Sequence, residues 1–396
     1  MHRAGNNCLI SFFMRILQLG KFYPIRGGVE KVMWDFTEGL SLRGVDCDML
    51  CAMLPSDDVD EEHKSMAVRE GRNTVIHLNP HGRVICVPAV AKKAATMISP
   101  TMVRWLRSHR GDYDIVHVHH PDPMAALALR LSGFKGKVIV HWHSDILKQR
   151  LLFWFYKPLQ DWMLRRAWKV VGTTPVYVHE SPHLAAFQDK VAWVPIGVRP
   201  VEYDPARAAA LRARFPGKKI VFSLGRLVGY KGYAYLVAAA RSLGDGYRVV
   251  IGGGGPLRDE LNALIVAENV ENIVYLQGYL SNEDVSAWYG ACDLFVLSSI
   301  WKTEAFAIVQ VEAMSCGKPV VATKIPGSGV SWVNGDGESG VNVEPCDADA
   351  LAGAIKSLTG DEATYHDYSL GARRRYERMF TFDMMIDNVL KIYNQK

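Results

Sequence analysis

Nothing in the 396 residues is long and apolar enough to cross a bilayer, which takes roughly 18–20 apolar residues in a row. The run CLISFFM at 8–14 is too short, and Arg15 with the glycine loop after it leaves no small-residue cleavage site for a signal peptide. Residues 1–13 therefore read as a disordered extension, with Met14 a second candidate start. Cysteine is sparse and odd in number: seven residues, with no regular framework. Cys47 and Cys51 form the one close pair, and no second His/Cys cluster completes a zinc site. Reduced thiols in a cytosolic protein follow. Compositional bias is missing too. With 49% hydrophobic and 22% charged residues, the chain is neither disordered nor collagenous. The glycine run GGGG at 252–255 lacks the G-x-G-x-x-G spacing of a dinucleotide site and reads as a tight turn before a helix at 257–268. Finally, residues 71–111 contain no acid at all.

What is present is enough apolar mass for two cores, at about 100–200 residues per domain. The net charge of +5 divides unevenly. Residues 1–197 hold 25 Lys and Arg against 18 Asp and Glu, and the rest hold 21 against 23. The first half thus hints at an anionic partner. Short β-branched runs alternate with longer helical ones. Strands are expected at 15–19, 46–52, 115–119, 137–141, 169–172 and 190–194, then at 220–223, 247–251, 273–277, 294–298 and 319–322. A helix at 29–40 has Val29, Val32, Met33, Phe36 and Leu40 on one face. Apolar strands between amphipathic helices predict parallel sheets covered on both sides. The order starts afresh after WVPIGVRPVEYDP (193–205), which reads as a linker. The expected class is α/β, two doubly wound domains facing one another, with ligands beyond the carboxyl ends of the strands.

Four constellations sit at such ends. Gly27-Gly28 precede a helix, where a backbone can approach an anion; a plain tight turn explains them equally well. In SLGRLVGYKG (223–232), Arg226 and Lys231 suit a diphosphate clamp, or are two solvated loop cations. In TEAFAIVQVEAMSCGKPVVAT (303–323), Glu304 closes a loop and Glu312 lies in the next helix. Phe306, Ala307 and Ile308 sit near that helix's N-terminus, where free N–H groups can hold a phosphate. Glu312, among apolar neighbours, suits a ribose diol. In VHWHSD (140–145), His141 and His143 share one strand face and admit a metal with Asp145 or His119. No second-shell partners for a metal are identifiable, and one histidine bonding a substrate hydroxyl is the favoured reading. Two stretches mix cations with apolar side chains: Arg72 to Arg110, interleaved with Met97, Ile98, Met102, Trp105 and Leu106, and LLFWFYKPLQDWMLRRAWK (151–169). Both suit an anionic bilayer surface, or a solvated helix face. No nucleic-acid motif accompanies them.

Taken together, the chain from Met14 on resembles the retaining glycosyltransferases of family 4, with the GT-B fold. The resemblance is carried by GGVEKV (27–32), DIVHVHHP (114–121), HWHS (141–144), PIGV (195–198), LGRLVGYKG (224–232), GGGGPLRDEL (252–261), QGYLSNEDVSAWYGACDLFVLSS (277–299) and EAFAIVQVEAMSCGKPVVAT (304–323). The last segment, with acids eight apart, is the most specific. The resemblance implies an acceptor-side domain at 14–197 joined by a C-terminal helix of about 376–396, and a donor-binding domain at 198–375. It implies sugar transfer from a nucleotide sugar with retention, without metal or cofactor. Arg226 and Lys231 would hold the diphosphate, Glu304 the donor-sugar hydroxyls, Glu312 the ribose, and Phe306–Ile308 the phosphates. Gly278, Tyr279 and Leu280 would border the base, and His143 would contact the donor sugar. The family usually has Gly where Ala307 stands, a substitution that is harmless if φ there is negative. The stretch 141–168 looks most like bacterial mannosyl- or rhamnosyltransferases of surface-polysaccharide assembly. That implies a GDP-sugar donor, a lipid-linked saccharide acceptor, and a place at the inner face of the cytoplasmic membrane. A nucleotide-sugar epimerase and a non-catalytic binding subunit are the alternatives.

Overall fold

A computed structural model describes residues 14–25, 27–93, 96–146 and 150–395. The expected extension at 1–13 lies outside them. The chain forms two compact units that divide between Val194 and Pro195, inside the proline-bearing stretch. The first unit runs up to Val194 and takes in the chain from Met385 on; the second is Pro195–Met384. The helix expected over about 376–396 is two helices, Glu362–Met379 and Phe382–Tyr393, and the return to the first unit begins at Met385.

In the first unit the strands are β1 (Arg15–Phe22), β2 (Asp46–Met53), β3 (Ala67–Glu70), β4 (Asn73–Asn79), β5 (Gly82–Pro88), β6 (Ala91–Lys93), β7 (Thr96–Ile98), β8 (Ile115–His120), β9 (Lys137–Trp142), β10 (Lys169–Gly172) and β11 (Val191–Trp193). Nine of them form one sheet in the order β11-β10-β9-β8-β1-β2-β5-β4-β3, while β6 and β7 pair apart. The central strands are parallel, and β3 and β4 add antiparallel at one edge. β3, β4 and β5 were not expected. AVRE and NTVIHLN mix polar with apolar residues and carry no long apolar run, whereas GRVICVP holds the buried apolar run VICV and was missed all the same. β1 ends irregularly, its register with β2 shifting between Leu19 and Phe22 around Lys21, which has φ +58°. The backbone N–H of Lys21 donates to Asp122 Oδ2 at 2.5 Å, and Asp122 also caps the helix Pro123–Ser132 through Met124 and Ala125. One buried carboxylate therefore fixes two chain segments at the carboxyl end of the sheet.

The second unit is a six-stranded parallel sheet of β12 (Lys219–Leu224), β13 (Tyr247–Gly252), β14 (Val274–Gly278), β15 (Leu294–Leu297), β16 (Val320–Thr323) and β17 (Gly340–Val343). Its order is β14-β13-β12-β15-β16-β17, so the winding reverses between β12 and β15. Strands such as LFVL and VVAT are buried on both faces. The helices Tyr233–Leu243, Arg258–Ala267 and Ala348–Thr359 bring Leu236, Val237, Leu261, Ile265, Leu351 and Ile355 to one apolar cluster against them. In an open α/β sheet the crevice at such a reversal, beyond the carboxyl ends, is where ligands go.

Candidate functional site

The loops after β12 and β15 meet at that reversal. Lys231 Nζ lies 2.6 Å from Glu304 Oε2, with both side chains about one-tenth exposed. Ser299 Oγ donates to the same carboxylate oxygen at 2.9 Å, and Ser298 Oγ donates to the Lys231 carbonyl at 2.9 Å. Gly232 makes this approach feasible: at φ +65° a Cβ would fall 2.0 Å from the Ser298 carbonyl oxygen. Lys231 is therefore no solvated loop cation. It has three donors, and one carboxylate does not exhaust them. Arg226, in contrast, is exposed. The structure thus brings Lys231 and Glu304 together and leaves Arg226 open to a ligand from solvent.

The glycine run is more than a turn. β13 ends at Gly252, and the segment 253–257 lies edge to edge with the loop after β12: Leu227 N–H donates to the Gly254 carbonyl at 3.0 Å, and Gly253 N–H to that of Gly278 at 2.7 Å. A Cβ on Gly253 would sit 2.0 Å from the Gly225 carbonyl oxygen. Three neighbouring strand ends are knitted into one floor that includes Gly225–Leu227 and Gly278. Next to it Tyr279 is 90% exposed and Leu280 half-buried.

The helix Ile308–Ser315 follows the loop that carries Glu304. The buried Gln310 steadies that loop, donating to the Phe306 carbonyl at 2.8 Å, and Ser328 donates to the Glu304 carbonyl. Glu312 is half-buried, and its Oε2 accepts from Tyr289 Oη at 2.8 Å. Burial, with the Glu312 charge second, raises the Tyr289 pKa and keeps it a donor. Phe306 and Ala307 are buried and Ile308 half-buried. Ala307 caps the helix at φ +61°, so the condition under which its methyl would be harmless is not met. Sequence reasoning missed Ser299, Tyr289 and Gln310; a polar Gln within the apolar AIVQVEAM was the available signal for the last.

Gly27, Gly28 and His143 belong to the first unit. Gly27 is the N-cap of the helix Gly28–Ser41, in extended backbone. A Cβ there would lie 2.5 Å from Glu30 Oε2, the tip of a flexible side chain that can shift, so neither space nor backbone requires glycine at this position. His143 follows β9 and sits in a stack of imidazoles: His141–His143 centroids are 4.2 Å apart at 8° between planes, and His119–His141 5.3 Å at 11°. The register pairs His119 with His141. His119, His141 and His143 have ring nitrogens within 4.8 Å of one another, and all are buried. Within the trio, His119 Nδ1 and His143 Nε2 face one another at 2.9 Å as a hydrogen-bonded pair. Asp145 does not join it: its Oδ1 accepts from Trp142 Nε1 at 2.9 Å and from Ser181 Oγ at 2.7 Å. Burial drives the imidazoles of His117, His119 and His143 well below 6.5, and those of His120 and His141 to about 3. The unit therefore offers neutral rings at neutral pH.

The two basic stretches part company. In the first, Met97, Met102 and Leu106 are buried and Trp105 stacks on His109 at 4.1 Å, so its apolar residues face inward and Ile98 alone among those named is exposed. In the second, the helix Arg150–Arg166 exposes Leu152, Trp154 and Phe155 at 55%, 70% and 68%. Among the described residues no helix is long and apolar enough to cross a membrane.

Comparison with known proteins agrees with the resemblance. Residues 26–202 match the family model "Glycosyltransferase Family 4", and residues 210–375 match "Glycosyl transferases group 1". The chain is 31% identical over 384 residues to O-antigen chain mannosyltransferase C of Escherichia coli, covering 96% of this chain and 98% of that one. It is 29% identical to D-rhamnosyltransferase WbpZ of Pseudomonas aeruginosa, covering 93% and 92%. Among solved structures, sucrose-phosphate synthase of Thermosynechococcus elongatus superposes with TM-score 0.76 at 22% identity over 96% and 98% of the chains. Anabaena HepE in complex with UDP superposes with TM-score 0.76 at 20% identity over 96% and 99%. The fold is GT-B, and the chain belongs to glycosyltransferase family 4.

Proposed function

We propose that this glycosyltransferase transfers mannose or a related hexose from a GDP-sugar to a lipid-linked saccharide during surface-polysaccharide assembly, with retention and without metal or cofactor. The names of its mannosyl- and rhamnosyltransferase relatives support the sugar class and the pathway. The observation that carries the chemistry is the buried Lys231–Glu304 pair beside exposed Arg226 at the strand reversal. Departure of the nucleotide leaves negative charge on the diphosphate. Arg226, with its planar fork, and Lys231, as a point charge, supply the positive charge that a metal would otherwise bring. Glu304, oriented by Lys231 and Ser299, accepts from donor-sugar hydroxyls. Glu312, held by Tyr289, accepts from the ribose. The N–H groups of Phe306, Ala307 and Ile308 at a helix start suit the phosphates, and Gly278–Leu280 border the base. His143 takes a sugar hydroxyl, and Gly27-Gly28 leave room for backbone approach.

The test is a mass-spectrometric screen of GDP-, UDP- and dTDP-sugars against the full chain, with the anomeric configuration of the product read by NMR. The expected result is turnover of a GDP-hexose with retention, abolished in Glu304→Gln. No binding or hydrolysis of any donor, with no effect of Glu304→Gln, overturns the proposal. Epimer formed from donor alone identifies the epimerase instead.

The acceptor side rests on the exposed Leu152, Trp154 and Phe155 followed by Lys157 and Arg165, an arrangement suited to an anionic bilayer at the inner membrane face. Co-sedimentation is expected with anionic vesicles, weakened by salt and by Trp154→Ser with Phe155→Ser. Equal binding to neutral vesicles overturns the electrostatic part.

A further inference from the structure

Buried polar groups beside His143 are hydrogen-bonded in series. His143 Nε2 and His119 Nδ1 are 2.9 Å apart, and His119 Nε2 is 2.8 Å from Gln18 Oε1. Gln18 Nε2 donates to Tyr393 Oη at 3.1 Å, and that hydroxyl lies 2.6 Å from His117 Nδ1. Gln18, His117 and His119 are fully buried, Tyr393 is 1% exposed, and His143 at 6% is the member that reaches the surface.

The series has a direction, which follows from counting donors. The Gln18 amide has two hydrogens. On its nitrogen side lie two acceptors, Tyr393 Oη and Cys47 Sγ at 3.7 Å; on its oxygen side lies the His119 ring alone. Turning the amide over would strand one buried N–H, at a cost of about 1–3 kcal/mol. With Oε1 toward His119, that ring carries its proton on Nε2 and offers a lone pair at Nδ1. Among the described residues the donor that meets this lone pair is His143 Nε2–H. Burial keeps both rings neutral, so each has a single N–H to place.

We propose that Gln18, Tyr393 and His119 are positioning residues that fix His143 in its Nε2–H tautomer and so present Nδ1 to the ligand as a hydrogen-bond acceptor. The fitting ligand group is a hydroxyl, which donates, and not an unprotonated carbonyl or phosphate oxygen. The inference rests on the reading of His143 as a sugar contact and adds the sense of that hydrogen bond.

The experiment is two-bond ¹H–¹⁵N correlation spectroscopy of the full chain labelled at histidine, with His143 assigned by its loss in His143→Gln. At neutral pH, His143 is expected to show a protonated Nε2 and a bare Nδ1. The reverse tautomer overturns the proposal. In Tyr393→Phe, Gln18 loses an acceptor, and the His143 nitrogens are expected to move toward averaged values. The kcat/KM for GDP-mannose is expected to fall about 3–10-fold, the scale of one lost hydrogen bond. Gln18→Met is expected to act alike. Either variant, folded by circular dichroism, with an unchanged His143 signature overturns the series as the cause. GDP-mannose added to wild type should shift Nδ1. If it is turned over and Nδ1 does not move, the sugar-contact reading fails while the tautomer assignment stands.

Discussion

Both units gather polar side chains on or just after neighbouring parallel strands, and they do so with opposite physics. In the first unit Gln18, His119 and His143 form a neutral, hydrogen-bonded cluster whose imidazoles burial keeps uncharged. In the second, Lys231 Nζ and Glu304 Oε2 face one another 2.6 Å apart as an ion pair. The charge of each half is a poor guide to its site, because the basic half holds the neutral cluster. Its exposed cations, such as Lys93, Arg104 and Arg107, sit elsewhere on its surface. Neutral groups suit sugar hydroxyls, and charged ones suit a diphosphate.

The sharpest way to break this contrast is to remove one charge. Lys231→Met leaves Glu304 buried without its cation. Breaking such a pair costs about 3–5 kcal/mol of stability, and losing a charge that stabilises a leaving group costs roughly 10²–10³ in kcat. Thermal unfolding and donor turnover check both. Glu304→Gln keeps the shape and the Ser299 contact, so its stability loss is expected to be smaller while its turnover loss stays large. Equal turnover in both variants and wild type would remove the second unit's charges from the chemistry.

The next effect belongs to the first unit and appears on acidification. His120 and His141 titrate at about 3 when folded and near 6.5 when unfolded, and His117, His119 and His143 also lie well below 6.5. Between these limits the unfolded chain binds more protons. The stability contribution is therefore complete above pH 6.5 and is lost as pH falls below it, by up to about 1.4 kcal/mol per histidine per pH unit. Hydrogen exchange, corrected for intrinsic rate, is expected to show β8 and β9 losing protection between pH 7 and 5 before β12 and β15. His141→Phe should flatten the slope. Neither nitrogen of His141 has a hydrogen-bond partner among the described residues, so the variant sacrifices none. Parallel loss in both units would refute the contrast.

Much of this was legible from residue order. Every expected strand is present, most within a residue or two and β1 three residues longer, because continuous apolar runs have few alternatives, while β3 to β7 and β17 were not foreseen. The Lys231–Glu304 pair was half legible: each residue was a candidate, but their contact depends on Gly232 and on strand order, which join residues 73 positions apart in the sequence. Gln18 and Tyr393 were illegible for the same reason, since they meet only because the C-terminal helix returns to the first unit. The inward turn of Met102 and Leu106 was visible in their i, i+4 spacing, which composition alone conceals.

The smallest effect concerns backbone and not side-chain chemistry. Each unit has a non-glycine residue at positive φ beside its candidate site, Lys21 at +58° and Ala307 at +61°. A left-handed conformation costs an L-residue about 1–2 kcal/mol, and glycine escapes it at the cost of greater freedom when unfolded. Lys21 is tied down by hydrogen bonds from its own N–H and Nζ to Asp122 and the Pro121 carbonyl, whereas the Ala307 side chain is a methyl that makes no bond, and its carbonyl accepts only the first helical bond, from Gln310 N–H at 3.1 Å. Ala307→Gly is therefore expected to stabilise the second unit by about 0.5–1 kcal/mol, read as a higher urea midpoint with unchanged slope. Lys21→Gly, which also discards the Nζ bond, is expected to gain nothing. If Ala307→Gly lowers the midpoint, the turn at the helix start is not strained, and the two positive-φ residues are not comparable.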